Sequence, residues 1–348
     1  MPSATIDPAC KRANPVLVEL TRGPRVESIH RGAVAVLAAT GEVVAARGDI
    51  ERPVFVRSAA KPLQALALVE TGAADAFALG PAELALACGF HGGEPHHVAC
   101  AAAWLTRLGL DDRAFVCGPH PPLDPEAAAA LARADKPATP IHNNCSGKHA
   151  GFLTVARHLG LPLCGYGDPD HPLQLRIRRD IEEMGDLRMG DDMLGIDGCG
   201  VVAFALPLRA LALAFARLAR PAGLGPRRAE AAQRLAAAMA AHPGMVAGRG
   251  RFDTRVIGAA AGRILSKGGA EGVHAAALVD AGVGIAVKID DGGKRAAEAA
   301  MAAVLLAHAG GEAAARSCLQ GYARQTLRNT AGAAVGEIRP APGWLAGW

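Results

Sequence analysis

Pro53-Val54-Phe55-Val56-Arg57-Ser58-Ala59-Ala60-Lys61-Pro62-Leu63 is where the chain changes period. Residues 53–56 form a short apolar run of strand character. Beyond Ser58, Leu63, Leu66 and Val69 recur at helical spacing, which predicts a helix from Ala59 to about Thr71. Ser58 falls where an N-cap belongs. Pro62 falls at the end of the first turn, where its missing N–H removes at most one bond. Ser58 and Lys61 are then three residues apart on one helix face. A serine at a helix start beside a desolvated lysine can be a nucleophile with its base. The same text also fits a plain cap followed by a surface lysine.

Working outward, residues 16–21, 27–38 and 42–48 read as strands, the last two joined by a turn at Thr40-Gly41. Near the other end, 273–278 and 284–289 read as two more. Helices are expected near 81–88, 95–108, 125–134, 151–159, 173–184, 208–219, 226–241, 256–265 and 295–309. Antiparallel strands at both ends with helices between them predict an α+β fold, an antiparallel sheet flanked by helices, with both strand sets able to share one sheet. Residues 1–15 read as a loose tail. Residues 16–348 read as one catalytic domain or two intimate lobes.

Bulk composition narrows the function. The chain carries 37 basic and 33 acidic residues, a formal charge of +4, and only 4% aromatics. That is too mild for a nucleic-acid or membrane-surface partner and too poor in rings for base stacking. A small polar substrate fits better. The N-terminus lacks the apolar core of a secretory signal. The apolar stretch 201–219 carries Arg209, Arg217 and Pro207, a poor membrane span. Eight cysteines without a C-x-x-C pair fit a reduced, cytoplasmic protein better than a disulfide framework.

The densest chemistry lies in Ile141-His142-Asn143-Asn144-Cys145-Ser146-Gly147-Lys148-His149-Ala150-Gly151, read as a loop feeding a helix N-terminus, where a thiol pKa falls. With Cys199 in Gly195-Ile196-Asp197-Gly198-Cys199-Gly200, Cys145 and Lys148 could hold a metal. Two thiolates favour zinc, although lysine must be neutral to ligate. His91, His96, His97, His142 and His149 are further candidate ligands, the His96-His97 pair reading as a helix surface. Ser266-Lys267-Gly268-Gly269 places a lysine beside glycines, similar to the late lysine element of penicillin-recognising enzymes; by itself it fits a solvated lysine before a turn.

Six motifs in one order resemble the Rhizobium etli-type L-asparaginases. They are Arg57–Pro62, Cys88-x-x-His91-x-Gly93-Glu94, His142–Gly151, Gly195–Gly200, His242–Gly248 with Arg251-Phe252-Asp253-Thr254, and Lys267–Gly272. The resemblance spans about 15–335. It implies a serine β-lactamase/glutaminase-like fold, a homodimer, and hydrolysis of L-asparagine to L-aspartate and ammonia. It implies Ser58 and Lys61 as a first Ser-Lys pair, and Lys267 as the lysine of a second. Cys145, Lys148 and Cys199 correspond to ligands of a Zn2+ that assists substrate binding. Arg57, His149, Asp197 and Glu94 correspond to residues lining the substrate pocket. One position departs from the pattern. The serine of the second pair belongs in the segment that here reads Cys88-Gly89-Phe90-His91, and Phe90 stands in its place. Phenylalanine can neither attack nor relay a proton. The alternatives are therefore a weakened or altered amidase or glutaminase, and a zinc-dependent amino-acid-binding pseudoenzyme. A β-lactamase-like acyl-serine enzyme shares the Ser-Lys and lysine-glycine elements but not the two-cysteine system.

Overall fold

The computed structural model describes residues 13–308 and 313–348; most of the tail read at 1–15 lies outside them. Asn14, at its inner end, is tied down. Its side chain donates to Asp290 at 2.9 Å and accepts from Asp49 N at 2.8 Å.

Eleven strands form among the described residues: β1 Val16–Arg22, β2 Arg25–Ala38, β3 Val43–Arg47, β4 Pro53–Phe55, β5 Leu194–Ile196, β6 Val202–Pro207, β7 Ile264–Gly268, β8 Val273–Leu278, β9 Val283–Ile289, β10 Gln325–Arg328 and β11 Ala334–Pro340. The main sheet runs β10-β11-β1-β2-β9-β8-β7, with β3 also on β2, and its pairings are antiparallel. The two terminal strand sets thus share one sheet, joined where Ala35 opposes Ala286. A smaller sheet, β4-β6-β5, lies beside it.

Both faces of the main sheet are covered, and the strands record it in their alternation. Ala33, Ala35 and Leu37 face one core with Ala275, Ala277 and Ala286. Val34 and Val36 face the other with Ala276, Ile285 and Val287. The first core is closed by the helix Leu208–Ala219 and the helical half of the chain, the second by the helices Lys294–His308 and Ala313–Ala323. Strands buried on both faces lose period-2 polarity and become continuous apolar runs. Helix Leu208–Ala219 comes so close to β9 that a Cβ at Gly284 would lie 1.9 Å from Ala212 O. Only glycine fits there.

Several boundaries differ from the sequence reading. The expected helix over 256–265 is a helix at Phe252–Ala259 followed by strand β7, so Lys267 lies within a strand and is 1% exposed rather than solvated before a turn. The helix expected at 151–159 starts earlier, at Ser146. Ser58 is not an N-cap: it lies inside a 3-10 turn, Arg57–Ala60, which runs into short helices Lys61–Gln64 and Leu66–Glu70. His97 is fully buried, so His96-His97 is not a surface pair.

Candidate active site

Chain direction places the first functional group. β4 ends against β6, and Arg57 adopts φ 50°, a left-handed backbone uncommon for a side-chain-bearing residue. That reversal turns the chain sharply into the 3-10 turn. Residues i and i+3 eclipse in such a turn, so Ser58 and Lys61 share a face. The turn packs against the end of β7, where a Cβ at Gly269 would sit 2.7 Å from Val56 O. Gly269 therefore lets β7, with Lys267, come up beside Ser58.

Lys61 is almost wholly enclosed. Its ammonium donates to Gly89 O at 2.6 Å and Asn144 O at 3.2 Å. Burial pushes its pKa below the ordinary lysine value, with Cys145 opposing and Lys148 assisting the shift. The Ser58 side chain is also buried, 6% exposed. Asn144 O additionally accepts from His91 N at 3.3 Å, so the 89–91 and 143–145 segments close around the Lys61 amine together.

Cys145 occupies the N-cap of helix Ser146–His158, and Lys148 follows on its first turn. Cys199 meets them from the loop after β5: Lys148 Nζ donates to Cys199 Sγ at 2.9 Å. The hydrogen bond from Cys199 drives the Cys145 pKa well below its ordinary value, helped by Lys61 and Lys148, and drives that of Cys199 up. Burial opposes the Lys148 charge, but the sulfurs of Cys199 and Cys145 outweigh it and hold the ammonium above its ordinary pKa.

This donor set fits a borderline-soft cation such as zinc. Two sulfurs and an amine converge in a buried site, one sulfur already inclined to be anionic. Binding would require Lys148 to give up its proton.

Asp197 adjoins the same cluster. Arg57 grips its Oδ1 from Nη2 at 2.7 Å and Nε at 3.0 Å. Burial raises the Asp197 pKa, yet Lys148 and Arg57 together hold it below the usual carboxylate range. His149 lies on the same helix. Tyr166 Oη accepts from Val116 N at 3.0 Å and lies 2.6 Å from His149 Nδ1; with the hydroxyl hydrogen directed to Nδ1, the ring proton sits on the buried Nε2, which has no partner. Burial pushes the His149 pKa well down, so the ring is neutral.

Lys267 enters from the other side. Burial lowers its pKa to about 7, with Asp253 opposing and Lys61 and Arg251 assisting. Beneath it lies a buried polar set that the sequence reading did not identify. Ser266 Oγ donates to Asp253 Oδ1 at 2.7 Å, His274 Nε2 is 3.0 Å from the same oxygen, and Gly268 N donates to Asp253 Oδ2 at 3.0 Å. Lys267 Nζ is 3.8 Å from that second oxygen. Burial raises the Asp253 pKa, but His274 and Lys267 reverse this and hold it far below the carboxylate range. His274, the one polar side chain in the run 273–278, was the available signal.

Phe90 stands between the two lysines. Lys61 Nζ lies 5.1 Å from its ring centroid, Lys267 Nζ 5.6 Å and the Arg251 guanidinium 4.9 Å. The ring also borders a cleft of about 420 Å³ lined by Arg251, Asp253, Gly269, His274 and Glu298, among others. Arg57, Lys61, Cys145, Lys148, His149, Asp197, Cys199 and Lys267 are thus linked through contacts and short-range charge interactions, with Ser58 on the turn between Arg57 and Lys61. Glu94 is placed apart from Arg57 and Asp197: its Oε1 accepts from Arg249 N at 2.7 Å and its Oε2 is 3.7 Å from His96.

The family model for L-asparaginase II matches residues 18–340. The chain belongs to that family. No curated protein matches the chain. Among solved structures, Mglu in its native form is similar with a TM-score of 0.42 at 16% identity, over 84% of this chain and 64% of that one. A β-lactamase from Mycobacterium bovis is similar with a TM-score of 0.38 at 16% identity, over 84% and 94%. The chain thus spans less than two thirds of Mglu's length, and the family assignment rests on neither likeness. No helix among the described residues is long and apolar enough to cross a membrane.

Proposed function

We propose that this L-asparaginase II family member hydrolyses the side-chain amide of L-asparagine, with Ser58 as nucleophile and Lys61 as its base. The observation that carries this is the Lys61 amine: buried, lowered in pKa, tied to the Gly89 and Asn144 carbonyls, and three residues after Ser58 on the same tight turn. In its neutral form Lys61 takes the Ser58 hydroxyl proton as Oγ attacks the amide carbon. The carbonyl π electrons move onto oxygen. When they return, the C–N bond breaks and Lys61-H+ delivers its proton to the departing nitrogen, releasing ammonia. Water then hydrolyses the β-aspartyl ester, with a neutral amine accepting its proton. Lys267, at about 7, carries a substantial neutral fraction for that step.

Substrate recognition follows from charge. The Arg57–Asp197 pair presents opposite charges to the amino and carboxylate groups of an amino acid. His149 Nε2–H is free to donate. A zinc ion held by Cys145, Lys148 and Cys199 would add a Lewis-acid contact that orients the substrate. Assembly as a homodimer belongs to the same proposal.

The test is ammonia release from L-asparagine and L-glutamine by purified protein and by Ser58→Ala. Release from asparagine that disappears in Ser58→Ala supports the assignment; full activity in Ser58→Ala excludes Ser58 as nucleophile. The Phe90 ring over both lysines favours a second reading in which the site binds the amino acid and turns it over weakly or not at all. Asparagine binding without ammonia release would select it.

A further inference from the structure

Outside the chamber, the start of the helix Pro95–Arg107 gathers three ligating side chains. Glu94, His96 and His97 each offer one ligand atom, and those atoms lie within 4.8 Å of one another. Two of the three are buried, Glu94 at 5% and His97 at 0% exposure, while His96 reaches solvent. Such a grouping alone would be ordinary surface polarity at a helix end.

His97 makes it more than that. Its Nε2 is 2.9 Å from Gly244 O. A carbonyl can only accept, so Nε2 carries the proton and Nδ1 carries the lone pair. That Nδ1 is buried and has no hydrogen-bond partner. Buried acceptors are normally satisfied. A neutral imidazole whose N–H is spent on a backbone carbonyl, with the other nitrogen bare, is the arrangement in which histidine ligates metals. Glu94 supplies the matching charge. Its Oε1 is fixed by Arg249 N at 2.7 Å, leaving Oε2 turned toward His96 Nδ1 at 3.7 Å.

We propose that Glu94, His96 and His97 form a divalent-cation site separate from the thiolate cluster. Two imidazoles and one carboxylate suit a first-row ion of borderline softness, zinc foremost, with water completing the shell on the exposed His96 side. The ion would couple this helix start to the chamber wall. The His97 ring stacks on His91 at 4.9 Å, and His91 Nε2 lies 2.9 Å from Ser146 Oγ, next to Cys145. The same turn carries Phe90.

The test uses the full chain stripped of metal and titrated with Zn2+ alone by calorimetry, with zinc content measured after dialysis. Wild type, His96→Ala, Cys145→Ala and the double variant are compared. The expected result is a zinc-binding step present in wild type and Cys145→Ala, and weakened at least about tenfold in His96→Ala and the double variant. Co2+ loaded into Cys145→Ala should give d–d bands that His96→Ala abolishes in that background. Because His96 is exposed, its loss leaves the core packing intact, and unchanged metal-free melting verifies this; should melting change, His96→Asn replaces it. Zinc binding identical in His96→Ala and wild type overturns the proposal. So does a single zinc that vanishes in Cys145→Ala, a result that leaves the thiolate site standing.

Discussion

Replacing Phe90 by Leu removes the ring's negative face and leaves an apolar side chain in place. Three cations lie within 6 Å of that ring, the nearest at 4.9 Å. A cation–π contact contributes about 0.5–2 kcal/mol, more when water is excluded, and one pKa unit corresponds to about 1.4 kcal/mol. The ring favours the charged amine, so its loss should lower the Lys267 pKa from about 7 by roughly 0.5–1.5. At pH 7 the neutral fraction would rise from roughly half to roughly nine tenths for a fall of about one. The readout is the lysine Nζ signal in heteronuclear NMR from pH 5 to 9, assigned by its disappearance in Lys267→Met. If ammonia is released, the acid limb of the rate profile should move to lower pH in step. The competing effect has the opposite sign. Leucine is smaller, and water admitted beside Lys267 would relieve the desolvation that dominates its shift. An unchanged or raised Lys267 pKa in Phe90→Leu refutes the cation–π account and makes the ring a water-excluding plug.

Two other perturbations probe the chamber from its anionic sides. Asp253→Asn removes the charge that most opposes desolvation of Lys267, so the same NMR signal should titrate below about 7. The variant should also lose about 3–5 kcal/mol of stability, read by denaturant melting, because a buried carboxylate that binds Ser266 Oγ, Gly268 N and His274 and faces Lys267 is lost. The Asp253 pKa is depressed on folding, so its contribution is present above the unfolded carboxylate range and lost as pH falls through the folded value. The difference between wild type and Asp253→Asn should therefore narrow in acid, and a constant gap down to acid unfolding would contradict it. Cys145→Ala should raise KM for asparagine more than it lowers kcat, since the thiolate cluster is assigned to substrate positioning; a loss confined to kcat would move it into the chemical step.

The strands that could be read from sequence were those that turns set off from their neighbours. β1 to β3 are bounded by turns at Gly23 and Gly41, and the β8–β9 pair is bounded by Gly282 and Gly292. β7 was hidden because Gly258-Ala259-Ala260-Ala261-Gly262 carries no period, so the preceding helix seemed to continue through Leu265. β6 was hidden by burial of nearly every residue, which makes a strand look like the start of the apolar helix that follows. The motif residues Ser58, Lys61, Cys145, Lys148 and Cys199 stood out by residue type. Their environment did not: the left-handed Arg57 that shapes the turn is a backbone feature no residue type announces, and the Asp253–Ser266–His274 set under Lys267 forms only because a helix and the two strands β7 and β8 fold onto one another. Glu94, His96 and His97 are adjacent in the text, but a surface pair and a half-buried pair read alike until the Gly244 carbonyl is placed against one ring.

Three buried lysines share the chamber, and their partners divide the work. Lys148 faces both sulfurs and Asp197, and these hold its charge above the ordinary value. Without a metal to displace its proton it is a counter-ion and a poor base. Lys61 has carbonyl oxygens as hydrogen-bond partners; they stabilise its charge less than a carboxylate would, and burial prevails. Lys267 has Asp253, but at 3.8 Å and with that carboxylate already engaged by Ser266, His274 and Gly268 N–H, so desolvation prevails again. Chemistry at neutral pH needs amines that can lose a proton, and of the three Lys61 and Lys267 have lowered pKa values. Phe90 acts against both. Its ring stabilises each lysine in the protonated form while contributing no hydroxyl for either to activate. If the proposed Ser58 acylation with these amines as bases is right, turnover should improve as pH rises. A rate that rose with falling pH would contradict both the base assignment and the sign of the Phe90 effect.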